Sequence, residues 1–217
     1  MNHRRGTPVP AVLSLLAAAA MLINPFAVIP AVSAACPDVE VVFARGTDEP
    51  PGIGKVGTAF VSALRSQVPA KTVQSYGVKY PANDNFLAAA NGANDASGHI
   101  QNMAGQCPDT KLVLGGYSQG AAVIDIVTAA PIGALGYKQP LPAAMADHVA
   151  AVAVFGNPSS RLGQPLTTLS PQYGGKTIDL CDVGDPICTD GQNWNAHLAY
   201  VQTGMTSQAA QFAAARL

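Results

Sequence analysis

LVLGGYSQGAAVIDIV, Leu112–Val127, sets one serine between two glycines, directly after an apolar run and directly before a helix-like one. Gly-x-Ser-x-Gly also arises by chance in loops rich in both residues, so the flanks decide its meaning. Lys111–Leu114 reads as a short buried strand, and Gln119–Ala129 as a helix. Between them, Gly116 and Gly120 leave room for strand and helix to cross closely. The turn then pushes the Ser118 hydroxyl out at the carboxyl end of the strand. The helix start behind it aims backbone N–H groups at any anion forming there. Strand, Gly-Tyr-Ser-Gln-Gly turn and helix together make a nucleophile elbow.

Outward from the elbow, short β-branched runs alternate with helical spacing. Val39–Phe43, Thr72–Val78, Ala150–Phe155 and Thr177–Leu180 read as four further strands. Val56–Val68, with Phe60, Leu64 and Val68 on one face, reads as a helix, as do Ala93–Gly105 and the alanine-rich Thr206–Leu217. Such alternation predicts a three-layer α/β-hydrolase fold: a central, mainly parallel five-stranded sheet with helices on both faces. Pro131–Pro142, rich in Pro and Gly, reads as a loop, and no repeat or linker divides the chain.

The first 35 residues read differently. Arg4 and Arg5 precede an apolar stretch, Ala11–Ile23, and small residues follow at Val32-Ser33-Ala34-Ala35. That is the three-part layout of a secretory signal peptide. The stretch is shorter than the ~20 residues of a membrane span, and Asn24-Pro25 interrupts it. The expected organisation is therefore a signal over 1–35 and a single catalytic domain over 36–217. Of the full 217 residues, 48% are hydrophobic and 12% charged, enough to bury a sizeable core. Without Arg4 and Arg5 the mature chain carries 10 basic against 13 acidic residues, and no basic run remains to bind nucleic acid. Four cysteines, Cys36, Cys107, Cys181 and Cys188, suit two disulfides in an exported protein. Three pairings exist on paper. Cys181 and Cys188 bracket a short loop and form a natural local bridge, which leaves Cys36 for Cys107. The larger loop would contribute roughly 4 kcal/mol on the chain-entropy account. Their spacing matches no zinc pattern.

A serine is a weak nucleophile without an adjacent base. Of four histidines, His3 leaves with the signal, His99 falls inside a helix ahead of the elbow, and His148 sits just before a strand, at the edge remote from the catalytic end. His197, in a late loop, fits the order Ser, acid, His of this fold, and His99 and His148 read as surface or helix-end residues. Both glutamates lie upstream of Ser118, so the acid is an aspartate. Asp125 is in the elbow helix, Asp147 precedes a strand, and Asp179 lies within one. Asp182, Asp185 and Asp190 remain, in the loop after the fifth strand. Asp182 and Asp185 lie between Cys181 and Cys188, where a bridge would hold a carboxylate against the imidazole. Position alone does not choose between them.

G-Y-S-Q-G, C-D-V-G-D-P-I-C, H-L-A-Y and V-F-A-R-G-T, in that fold, resemble the cutinase family of small serine esterases, in particular its bacterial, mycobacterial-type members. The resemblance covers the chain from Cys36 to the C-terminus. It implies Asp185 as the acid, His197 as the base and disulfides Cys36–Cys107 and Cys181–Cys188. Oxyanion donors would be the backbone N–H of Gln119 and the residue at Thr47, where the family commonly has serine; the threonine keeps the hydroxyl and adds a methyl group. Two departures point away from waxy polymer: Asp190–Ala196, before the histidine, is polar apart from Trp194, and the Pro131–Pro142 loop is longer than in the fungal members. Trp194 is either a packing residue or one wall of the acyl site.

The expected activity is hydrolysis of short- to medium-chain acyl esters or lipids, cutin-like polyester included, by a secreted monomer, free or held at the cell envelope. A Ser-His-Asp triad would act through an acyl-enzyme with no metal and no cofactor. The small fold leaves little chain for a large lid, so activity without an interface is expected. The rivals are deacetylation of a polysaccharide such as xylan, and a non-catalytic secreted binding protein on the same scaffold.

Overall fold

Every one of the five β-branched runs is a strand, and all of them are parallel. The structure is a computed structural model that describes residues 1–3, 35–129 and 136–217. The predicted signal over 1–35 thus lies almost wholly outside the described residues, and so does the first part of the predicted loop at 131–142. Residues 35–217 form one unit. Its strands are β1 (Val39–Ala44), β2 (Val73–Gly77), β3 (Lys111–Tyr117), β4 (Val149–Phe155) and β5 (Thr177–Leu180), in the spatial order β2-β1-β3-β4-β5. Helices α1 (Gly54–Gln67) and α7 (Met205–Ala214) cover one face, and α2 (Ala89–Gln106) and α3 (Gln119–Ala129) the other.

Period-2 alternation builds both faces from the same strands. In β1, Val39, Val41 and Phe43 point towards α1 and α7, while Val42 and Ala44 point towards α2 and α3. Phe43, Phe60 and Phe155 form a triangle of rings 6.0–6.4 Å apart in the first of these cores. Truncating one of them to alanine costs about 3–5 kcal/mol. In β4 the register shifts: Val149 pairs with Leu112 and Ala151 with Val113, so Ala150 is an extra residue. This bulge lets Val149 and Val152 enter the same core despite their odd separation.

β3 runs three residues further than its apolar pattern suggests, through Gly115, Gly116 and Tyr117. Glycine weakens a strand in isolation, which hides these residues from propensity reasoning. Here each has a reason: a Cβ on Gly115 would press into the Phe43 ring, and one on Gly116 into the Gly120 carbonyl. The short helices α4 (Pro158–Arg161), α5 (Leu166–Leu169) and α6 (Trp194–His197) carry too few residues for a readable period.

Chain order reverses between β1 and β3. From β1 the chain passes to β2 on one side, then returns to β3 on the other, and the carboxyl ends of these two strands open a crevice. Register places Ala44 opposite Gly116, so the segments carrying Thr47 and Ser118 leave the sheet side by side. The disulfides join Cys36 to Cys107, at the approaches to β1 and β3, and Cys181 to Cys188, after β5. Among the described residues no helix is long and apolar enough to cross a membrane.

Candidate active site

Ser118 sits on the turn between β3 and α3 with φ +55°, a left-handed conformation unusual for a residue with a side chain. Packing enforces it. A Cβ on Gly120 would collide with the Ala44 carbonyl, so the first turn of α3 lies directly on β1. Two other non-glycine residues with positive φ, Asp48 and Ala82, are joined by a hydrogen bond from Asp48 N–H to the Ala82 carbonyl, 2.7 Å. Gln119, fully buried, donates its side-chain amide to the neighbouring Asn83 carbonyl at 2.8 Å. The strain thus gathers around one place, as it does where surrounding structure fixes a reacting group.

His197 lies at the end of α6, its Nε2 3.0 Å from Ser118 Oγ and its Nδ1 2.8 Å from Asp185 Oδ2. Of the three aspartates left open by position, Asp185 is the one brought to the histidine. Asp182 caps its own loop, accepting from Val183 N–H at 2.7 Å. Asp190 is exposed and lies 3.6 Å from Arg161. Asp185 is completely buried and has three donors: His197, the Tyr200 hydroxyl at 2.6 Å and Ile187 N–H at 2.7 Å. Burial alone would raise its pKa, but these bonds outweigh it and hold the carboxyl below its ordinary range. The Cys181–Cys188 bridge closes the loop that carries it.

Two tyrosines hold the imidazole. Tyr117 stacks on the His197 ring, centroids 5.0 Å apart, and donates its hydroxyl to the His197 carbonyl at 2.6 Å. Tyr200 meets the same ring edge-on at 6.4 Å while bonding Asp185. It lies beyond the end of α6, three residues after the histidine, and only the fold brings its hydroxyl to Asp185. Gly156, φ +58°, closes the other side; a Cβ there would lie 3.1 Å from both Asp185 Oδ2 and His197 Cε1.

Thr47 and Ser118 line one cavity of about 530 Å³. Among the described residues, the backbone N–H groups of Thr47 and Gln119 have no acceptor in the chain, so both are free to meet an anion. The Thr47 loop is tied down on both sides by buried and half-buried hydrogen bonds. Glu49 accepts from Gly46 N–H and Lys55 N–H, each at 2.7 Å. Arg45, buried, donates to the Glu49, Val78 and Tyr80 carbonyls and ties the loop to the segment after β2. The sequence assigns Arg45 no role; a buried arginine whose hydrogen bonds all go to carbonyls and whose guanidinium lies over the Tyr80 ring leaves no charge pattern to find.

Val56, Phe86, Ile187 and Leu198 add apolar lining to the cavity, and so does Trp194. Trp194 is 60% exposed with its ring edge-on to His197 at 5.8 Å, which places it at the cleft and not in the core. His99 is neither at a helix end nor simply at the surface. It lies inside α2, stacked on Tyr76 at 3.5 Å and 2.9 Å from Glu40 Oε2. His148 precedes β4, at the opposite end of the sheet from Ser118. No group of three or more His, Cys, Asp or Glu side chains that could hold a metal occurs among the described residues.

A protein-family model described as Cutinase matches residues 35–217. "Phospholipase Culp4" of Mycobacterium tuberculosis is 64% identical over 206 residues, covering 95% of this chain and 90% of that one. "Probable carboxylesterase Culp3" of the same organism is 56% identical, with 84% of this chain and 70% of the relative covered. Among solved structures, Trichoderma reesei cutinase in complex with a phosphonate inhibitor superposes with TM-score 0.68 at 33% identity, covering 82% of this chain and 75% of that chain. The catalytic core of acetyl xylan esterase from Trichoderma reesei gives 0.71 at 27%, covering 84% and 100%.

Proposed function

The chain belongs to the cutinase family, and from that premise we propose that it is a secreted serine carboxylic ester hydrolase that cleaves short- to medium-chain acyl esters and lipids through an acyl-enzyme. The observation that carries the reading is the bonded series Ser118 Oγ, His197, Asp185, at 3.0 and 2.8 Å, opening on a cavity whose lining is mainly apolar and also includes Glu49, Lys55 and Asp84. Ser118 Oγ attacks the ester carbonyl while His197 Nε2 takes its proton. Asp185, bonded to Nδ1, fixes the tautomer and stabilises the imidazolium. The N–H groups of Gln119 and Thr47 receive the oxyanion as the tetrahedral intermediate forms. His197 then gives its proton to the leaving alkoxide, and the acyl group stays on Ser118. A water molecule, deprotonated by His197, releases the acid and restores the serine.

A lipid ester is favoured over an acetylated sugar by the apolar lining: Val56, Phe86, Ile187 and Leu198 offer an acyl chain surface that an acetyl group would leave unfilled. Two disulfides that engage all four cysteines, together with the N-terminal pattern, support export. The test is hydrolysis of p-nitrophenyl esters across acyl lengths, with acetylated xylan alongside. Wild type should show a chain-length optimum between about four and ten carbons, set by the size of the cavity. Ser118→Ala should lose at least about 10⁴-fold in kcat. Equal rates in both proteins would remove the serine mechanism, and turnover of acetylxylan alone would make the substrate a polysaccharide.

A further inference from the structure

We propose that a second apolar trough, across Phe86 from Ser118, holds the non-reacting acyl chain of a two-chain lipid. The inference rests on the ester-hydrolase reading of Ser118 and names a substrate class for it. The trough has a volume of about 520 Å³ and runs along α3, with Ala122 and Ile126 on one wall and Leu162 and Leu169 on the other. Phe86 lines both this trough and the cavity at Ser118, and at 53% exposed it stands as a ridge between them. The trough begins close to the chemistry. Ala122 lies one turn along α3, about 5.4 Å of rise, and its N–H bonds the Ser118 carbonyl at 3.3 Å.

A mainly apolar cavity that holds the nucleophile and a still more apolar trough, divided by one ridge, fit a molecule whose two chains diverge from adjacent carbons. A single-chain ester fills the Ser118 cavity and leaves the trough empty. Among the described residues only Asp125 and Ser159 bring polar side chains to the trough, and Asp125 Oδ1 already accepts from Asn157. The other nine residues that line it are apolar and offer no side-chain partner to a peptide backbone or to sugar hydroxyls. Leu87 and Leu162 form the lips, 64% and 77% exposed, and a chain between them would cover both. Each methylene that enters is worth about a fourfold gain in affinity.

The test uses the Ser118→Ala protein, so that ligands persist. It is titrated calorimetrically, below micelle concentrations, with dihexanoyl-phosphatidylcholine and with hexanoyl-lysophosphatidylcholine. The two-chain lipid should bind at least about tenfold more tightly. Leu162→Asp or Leu87→Asp, both at exposed positions, should abolish that advantage while leaving the single-chain affinity within about twofold. In the protein that retains Ser118, the same variants should leave p-nitrophenyl butyrate turnover unchanged. Equal affinity for the two lipids, or an advantage that survives both variants, overturns the trough as a chain site. Absence of p-nitrophenyl butyrate turnover in wild type would instead remove the hydrolase reading, and the binding titration would still decide the trough.

Discussion

Gly156 and Asn157 are neighbours in the chain, and they look onto two aspartates held in opposite ways, Asp185 fully buried and Asp125 half-buried. Gly156 closes against Asp185. Asn157 donates one amide group to Asp125 Oδ1 at 3.0 Å and to Asp179 Oδ2 at 3.1 Å. Burial raises the pKa of both Asp185 and Asp125. At Asp185, three donors reverse the effect and the carboxyl stays ionised. At Asp125, burial wins over the Asn157 amide, Asp179 adds a like charge, and the pKa is pushed up to about 7. The difference teaches that burial alone does not decide the charge of an acid: Asp185 has the His197 imidazole among its donors, whereas Asp125 has a second carboxylate, Asp179, for a neighbour. One carboxylate is kept charged beside the histidine, while the other can hold a proton at the floor of an apolar trough.

The largest effect that could break this comparison is at Asp185 itself. Asp185→Asn keeps the shape and removes the charge, so kcat should fall about 10³- to 10⁴-fold with little change in KM. A loss under tenfold, in protein with unchanged near-ultraviolet circular dichroism, would mean that the buried charge is not needed.

Asp125→Asn tests the other side through stability. With its folded pKa raised from 3.8 to about 7, the folded chain keeps a proton that the unfolded chain has released. Stability from this group is therefore fully present below about pH 4 and is lost as pH rises through about 7. Relative to wild type, the variant should gain about 2–4 kcal/mol between pH 4 and pH 8. Urea unfolding at both pH values measures it, and parallel stabilities would show that Asp125 ionises normally.

Gly156→Ala sharpens the boundary between the two regions. A side chain at φ +58°, pressed against Asp185 and His197, should cost about 2 kcal/mol of stability and tens-fold in kcat. Full activity would show that the histidine has room to move.

Tyr200→Phe removes one of the three donors and should be the mildest change, about 1–1.5 kcal/mol. Because the Asp185 pKa is depressed, its contribution is present above about pH 4 and lost as pH falls through the folded value. With a weaker depression, acid unfolding should begin at higher pH than in wild type. An unmoved acid midpoint would show that His197 and Ile187 suffice.

The strands and the elbow were legible because alternation and the Gly-Tyr-Ser-Gln-Gly turn are local patterns. His197 was legible from chain order, as the histidine behind the last strand. Asp182 and Asp185 were not separable by position, because both sit inside the bridged loop; the choice depends on which one faces the imidazole. The supports were least visible. Tyr117, Tyr200 and Arg45 act on groups that only the tertiary fold brings near, from 80, 15 and 35 residues away. The Asn157 amide between Asp125 and Asp179 is of the same kind: no pattern along the chain announces it.

The Cys36–Cys107 bond has a consequence for how the chain finds its fold. It spans 71 residues, and the first β1–β3 pair, Val39 with Lys111, closes nearly the same loop. In a parallel sheet this pairing is the slow, non-local search, since contacts reward the chain only after the loop has closed. Once the sulfurs are joined, the search for register shrinks to a few residues at the start of both strands. At the far ends of those strands stand Thr47 and Ser118, so one covalent event near the N-terminus shortens the kinetic route by which the two meet.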